Sequence, residues 1–168
     1  GDVYKRQIVL SNSRKNELNF NLMLFFTGFT RFSADIQKSA ESSLKDKTDM
    51  LLKMKSLVDD AEQILTSKTD IREFGRLLDD SWRLKSGLSA SVSTNAIDLL
   101  YDKALQAGAI GGKLLGAGGG GFLLFFVEKE KQQAVRRALS DLLYVPFLFE
   151  NTGTQVIHYT AEDYELDE

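Results

Sequence analysis

Between positions 111 and 121 the chain reads Gly-Gly-Lys-Leu-Leu-Gly-Ala-Gly-Gly-Gly-Gly, then runs straight into Phe122-Leu123-Leu124-Phe125-Phe126-Val127. Seven of the thirteen glycines fall in those eleven residues. Ordering so many glycines carries a large entropic cost, so a folded chain groups them where its backbone must bend sharply or approach another group closely. The apolar run behind them is short, with glycine before it and Glu128 after it, and reads as a buried strand. A glycine loop fixed to such a strand is a common way to present N–H groups to phosphate. A hairpin without a ligand is the other reading, although roughly two or three glycines would make that turn.

Two nucleotide motifs fail on context. The spacing Gly116-x-Gly118-x-x-Gly121 fits the dinucleotide fingerprint, which must follow a strand and open a helix; here it opens Phe122 to Val127, which has no helical period. A Walker A loop ends in Gly-Lys-Ser/Thr, whereas Lys113 precedes the glycines and the loop ends Gly121-Phe122. What remains is strand–loop–strand, with residues 113–115 leading up and residues 121–127 returning.

The run from Gly112 to Gly121 resembles the third motif of the GHMP small-molecule kinases, a family that includes galactokinase, homoserine kinase and mevalonate kinase. The surrounding text is most similar to the sugar-kinase branch containing D-glycero-D-manno-heptose 7-phosphate kinase. Supporting pieces are Leu24-Phe25-Phe26-Thr27-Gly28-Phe29-Thr30-Arg31, the stretch Glu73-Phe74-Gly75-Arg76-Leu77-Leu78-Asp79-Asp80-Ser81-Trp82, and Val145-Pro146-Phe147. The resemblance runs over about residues 8–157 and covers only the C-terminal half of such an enzyme. The phosphate-binding second motif and the catalytic aspartate of most members belong to the other half.

Composition sets bounds of its own. A chain of 168 residues fits one domain, and its apolar fraction of 43% and charged fraction of 27% are ordinary for a globular protein. A net charge of −3 leaves no basic stripe for general nucleic-acid binding. Cysteine is absent and His158 is the only histidine, which removes thiolate chemistry and histidine metal clusters. The longest early apolar run, 22–26, is far short of the ~20 residues of a membrane span, so the cytoplasm is the expected compartment.

Along the chain, residues 1–7 read as a non-native or disordered leader, 8–160 as the domain and 161–168 as an acidic tail. Ile8-Val9-Leu10 reads as a short strand, and residues 22–27 as a second. Residues 33–88 read as three helices. Ser33 would cap the first, with Ile36, Ala40 and Leu44 on one face. Leu51, Met54, Val58, Ala61 and Leu65 make an apolar seam on the second, and Met50 and Met54 read as core fillers. Asp70 and Glu73 suggest a capping box for the third, whose buried side would hold Phe74, Leu77, Leu78 and Trp82. A Ser/Thr loop follows, then a helix over 95–106 capped by Thr94 or Ser93, with Ile97, Leu100 and Ala104 inward. An amphipathic helix over 128–143 burying Val135, Ala138, Leu139 and Leu142, and short strands over 145–149 and 155–158, complete the pattern. His158 has no recognisable carboxylate or serine partner. Strands, a helical block, a hairpin, a helix and strands give an α+β sandwich of an antiparallel sheet covered by helices, and the resemblance implies that its core is ferredoxin-like.

The resemblance implies an ATP-dependent kinase acting on a sugar or sugar phosphate, with Mg2+ bridging phosphate oxygens. In that reading Gly116, Ala117, Gly118, Gly119, Gly120, Gly121 and Lys113 border nucleotide and acceptor, Lys113 serving either phosphate or structure. Arg31, Lys85 and Ser93 are substrate-contact candidates; each reads equally as an ordinary solvated or capping residue. No catalytic residue and no metal ligand is assigned to this chain. Alone it is expected to hold no cofactor stably and to transfer nothing, its partners being an N-terminal kinase half and the sugar phosphate; a homodimer stays open. The alternative from another class is a non-catalytic ferredoxin-like module that binds a ligand or dimerises.

Overall fold

The structure, a computed structural model, describes residues 8–29, 47–89, 92–116 and 118–150. In chain order these residues form α1 (Asn12–Asn21), β1 (Leu22–Phe26), α2 (Thr48–Thr66), α3 (Arg72–Ser86), α4 (Asn95–Gln106), β2 (Gly111–Leu114), β3 (Phe122–Phe126), α5 (Lys129–Ala138) and β4 (Leu143–Val145). The four strands form one sheet in the order β2-β3-β1-β4 with every pair antiparallel. The helical block α2–α4 crosses from β1 to β2, and α5 crosses from β3 to β4. That is the ferredoxin-like βαββαβ arrangement with helices added.

Strands β1, β3 and β4 are apolar throughout because both faces of the sheet are covered, while β2, at its edge, carries Lys113. Successive side chains point to opposite faces. Met23, Phe25, Leu114, Leu123 and Phe125 therefore join Ile97, Tyr101 and Ala104 of α4, Val135 of α5 and Leu139 at its C-cap in the larger core. Trp82 belongs to it too, at 4% exposure, and so is a core side chain as expected. On the opposite face Leu22 and Phe126 pack with Leu18 of α1 and with Ile71 and Leu78 at α3.

Helix α3 lies directly on β2. A Cβ built at Gly111 would fall 2.1 Å from the Gly75 carbonyl oxygen, and one at Gly75 would fall 2.9 Å from the Phe126 ring. Two glycines thus let helix and strand approach at backbone distance. As the outermost strand, β2 would expose unpaired N–H and C=O groups. Its neighbours occupy them. The Tyr101 hydroxyl accepts from Gly112 N–H (3.1 Å), lies 3.0 Å from the Gly112 carbonyl and donates to Asp79 Oδ1 (2.7 Å). Burial first, and then the bond to Asp79, push the phenol pKa above its usual value. Tyr101→Phe strands the Gly112 amide, so it is expected to lower stability by about 1–3 kcal/mol. Urea unfolding checks this, and an unchanged midpoint would remove Tyr101 from the account of the edge.

Several expectations are corrected. Residues 8–10 are not a strand; Ser11 Oγ caps α1 by accepting from Arg14 N–H at 3.1 Å. The seam on α2 is partial, since Val58 is 63% exposed and no α2 residue is fully buried; Met50 and Met54 are half-buried. The capping box does not form. Asp70 instead accepts from the Arg72 backbone and guanidinium, while Glu73 pairs with Arg76. Helix α5 ends at Ala138, short of 143. The strand expected over 145–149 stops at Val145, because the next residues bond to a side chain: Asn19 donates to the Phe147 carbonyl (3.2 Å) and accepts from Phe149 N–H (2.8 Å). The helix expected from Ser33 with Ile36, Ala40 and Leu44, the strand 155–158 with His158, the leader 1–7 and the tail 161–168 all lie outside the described residues.

Candidate functional site

The hairpin between β2 and β3 is a strand–loop–strand as expected, with Gly111 opposite Phe126 and Leu114 opposite Leu123, but its first strand spans Gly111–Leu114 and not 113–115. Its loop is fastened at three points. At the entrance, Lys85 Nζ donates to the carbonyls of Gly116 (2.5 Å) and Leu114 (3.3 Å). In the middle, Gly119 N–H donates to the Val92 carbonyl at 2.9 Å. At the exit, Gly121 N–H donates to the Phe29 carbonyl (3.1 Å) and approaches Thr27 Oγ1 (3.2 Å), while Thr27 N–H and Oγ1 each donate to the Gly121 carbonyl at 2.9 Å. Thr27, which the sequence reading did not single out, is the buried polar residue that ties the loop to the end of β1.

The glycines differ in what requires them. A Cβ at Gly118 would lie 2.8 Å from Val92 Cα, and one at Gly120 would lie 2.3 Å from the Phe29 carbonyl oxygen. Those two are demanded by this chain's own backbone. Gly116 is exposed, and among the described residues nothing lies within 4 Å of where its Cβ would be. Its φ of +84° is the left-handed region that side chains disfavour. Gly119 is buried with φ +71°. Among the described residues, the N–H groups of Gly116, Gly118 and Gly120 meet no acceptor.

The predicted lysines sit at the base of this loop. Lys113 Nζ donates to Ser81 Oγ at 3.0 Å. Both lysines are half-buried, and burial lowers the pKa of each; for Lys85 the charge of Lys113 adds to the effect. Lys85 therefore latches the loop in addition to standing at its mouth. Ser93 lies next to Val92, but its hydroxyl donates to Asp98 Oδ1 (2.5 Å) in the first turn of α4, which Thr94 caps by accepting from Ile97 N–H at 3.3 Å. Arg31 and Ala117 lie outside the described residues. The structure thus gathers Lys85, Lys113 and the glycines around one loop, with Ser93 at its flank.

Among the described residues no group of three or more His, Asp or Glu side chains could hold a metal ion, and no helix is long and apolar enough to cross a membrane. The free N–H groups and the two ammonium groups suit anionic oxygen.

Residues 60–145 match the family described as GHMP kinases C terminal, and the chain belongs to that family. It is 33% identical over 141 residues to a D-glycero-alpha-D-manno-heptose 7-phosphate kinase of Campylobacter jejuni, a match covering 80% of this chain and 41% of the relative. A D-glycero-D-manno-heptose 1-phosphate kinase from Bacteroides thetaiotaomicron superposes with a TM-score of 0.57 at 25% identity, over 86% of this chain and 37% of that one. The mevalonate kinase of Methanococcus jannaschii shares the fold, with a TM-score of 0.62 at 24% identity over 74% of this chain and 37% of its own. The chain spans about two fifths of the length of these relatives.

Proposed function

We propose that this chain is the C-terminal half of an ATP-dependent sugar kinase whose acceptor is a sugar phosphate of the heptose phosphate class. The observation that carries the reading is the glycine loop: it is fastened to its own domain at three points, yet keeps Gly116 exposed and three N–H groups without acceptors among the described residues. Two relatives named as heptose phosphate kinases support the acceptor class.

Phosphoryl transfer depends on positioning and charge stabilisation. Magnesium-ATP, held mainly by an N-terminal half, supplies the γ-phosphoryl group. On this side the loop from Gly116 to Gly121 borders the acceptor and closes against the partner half, with Lys85 and Lys113 adding positive potential below it. The base that takes the acceptor's proton and the cradle for the triphosphate belong to the partner, so this chain alone transfers nothing. A cytoplasmic setting fits such chemistry.

Gly116→Asn tests the loop's role. Asparagine tolerates the left-handed conformation, and its Cβ meets nothing within 4 Å among the described residues. The melting temperature of the domain is therefore expected to hold, while kcat/KM of the assembled kinase falls by about tenfold or more through crowding from outside. Unchanged turnover would place position 116 away from both substrate and partner half.

A further inference from the structure

We propose that Lys85 and Lys113 form a paired-ammonium site for a phosphate group, at the seam where α3 meets β2 below the glycine loop. This names the phosphate recognised by the proposed kinase half and rests on that reading only for where the phosphate comes from.

Ser81 and Lys85 are one turn apart on α3, and Lys113 projects from β2 beside them. One ammonium reaches Ser81 Oγ and the other reaches the Leu114 and Gly116 carbonyls, which puts both heads along a single seam ending at exposed Gly116. Neither is neutralised by a carboxylate among the described residues. Among the described residues the ion pairs are Arg14–Glu17, Arg72–Asp70, Arg76–Glu73 and Arg83–Asp79, and none includes either lysine. Asp79, the acidic side chain packed against this seam, is already shared by Arg83 and Tyr101.

Two half-buried like charges with no carboxylate partner among the described residues oppose folding, and their lowered pKa values follow from that burial. An arrangement that costs stability in the free chain becomes favourable once a dianion enters between the two heads. Phosphate fits: both lysines can donate to its oxygens, and the N–H of Gly116, which meets no acceptor among the described residues, lies beside them.

The test uses the purified chain with inorganic phosphate, against chloride at equal ionic strength. Phosphate is expected to raise the melting temperature saturably and to shift the 13Cε resonances of Lys85 and Lys113 together. Lys113→Met is expected to leave the phosphate-free melting temperature unchanged or higher, while phosphate affinity drops about tenfold or more. Lys113→Arg keeps the charge and should retain most of the response; like the resonance shifts of the unaltered chain, it does not depend on how the methionine variant folds. A hexose 6-phosphate against the free hexose, and AMP against adenosine, tell an acceptor phosphate from a nucleotide phosphate. Phosphate acting no better than chloride, silent lysine resonances, or a full response in folded Lys113→Met would overturn the site. Phosphate uptake at the pair without transfer by the assembled protein would instead sink the kinase reading alone.

Discussion

Gly111→Ala is expected to destabilise this domain more than any other single-methyl addition discussed for it. The new Cβ would stand 2.1 Å from the Gly75 carbonyl oxygen, 2.9 Å from Asp79 Cβ and 3.1 Å from Asp79 N. Two of those atoms are helix backbone, which cannot rotate away as a side-chain end could. Either α3 lifts from β2 or the strand shifts in register. Lifting α3 draws Trp82 and Leu78 from the two cores and pulls Asp79 and Lys85 from the edge of β2. Overpacking commonly costs about 1–3 kcal/mol, and a backbone obstacle places this case at the upper end or above. For a domain of this size that is a fall in melting temperature of about 10 °C. Differential scanning calorimetry checks it. A fall of only a degree or two would mean that helix and strand are not held at backbone distance.

Gly119→Val acts on activity. At φ +71° a β-branched residue is strained by about 1–2 kcal/mol or more, a fraction of the roughly 5–15 kcal/mol that holds a domain. The isolated domain is therefore expected to stay folded with a lowered melting temperature. The loop cannot keep both its bend and the Gly119 bond to Val92, so its middle moves. Displacement of a positioning element by about 1 Å can cost about a hundredfold in rate, and loss of detectable transfer by the assembled kinase is expected. Near-normal turnover in a folded Gly119→Val enzyme would separate the loop from the chemistry.

The parts of this fold legible in the sequence are those where local signals agree. The helix over 95–106 has Thr94 to cap it and Ala107-Gly108 to close it, and it is found with those bounds. The hairpin was readable because β3 is a short apolar run with glycine before it and charge after it, and the glycines ahead of it mark the turn. Helix α1 was not, because only Leu18 of its ten residues is buried; it is held by an N-cap and by Arg14, which donates to the Ile64 carbonyl (2.6 Å) and the Thr69 carbonyl (2.5 Å) at the end of α2. Such tertiary partners leave no periodic trace. The same limit applies at the loop. A row of glycines looks alike in sequence, but Gly118 and Gly120 make room for Val92 and Phe29 of the same chain, and Gly116 makes room for nothing among the described residues. Lys85 was readable as a cation near a loop. Its bond to the carbonyl of Gly116, thirty-one positions away, was not.

The most direct test of the proposed function is transfer of labelled γ-phosphate from magnesium-ATP to a heptose phosphate, measured for this chain alone and for the chain supplied with an N-terminal GHMP kinase half. Label is expected in the sugar only when both halves are present. Equal transfer by the chain alone, or none by the pair when both halves are folded and associated, would contradict it.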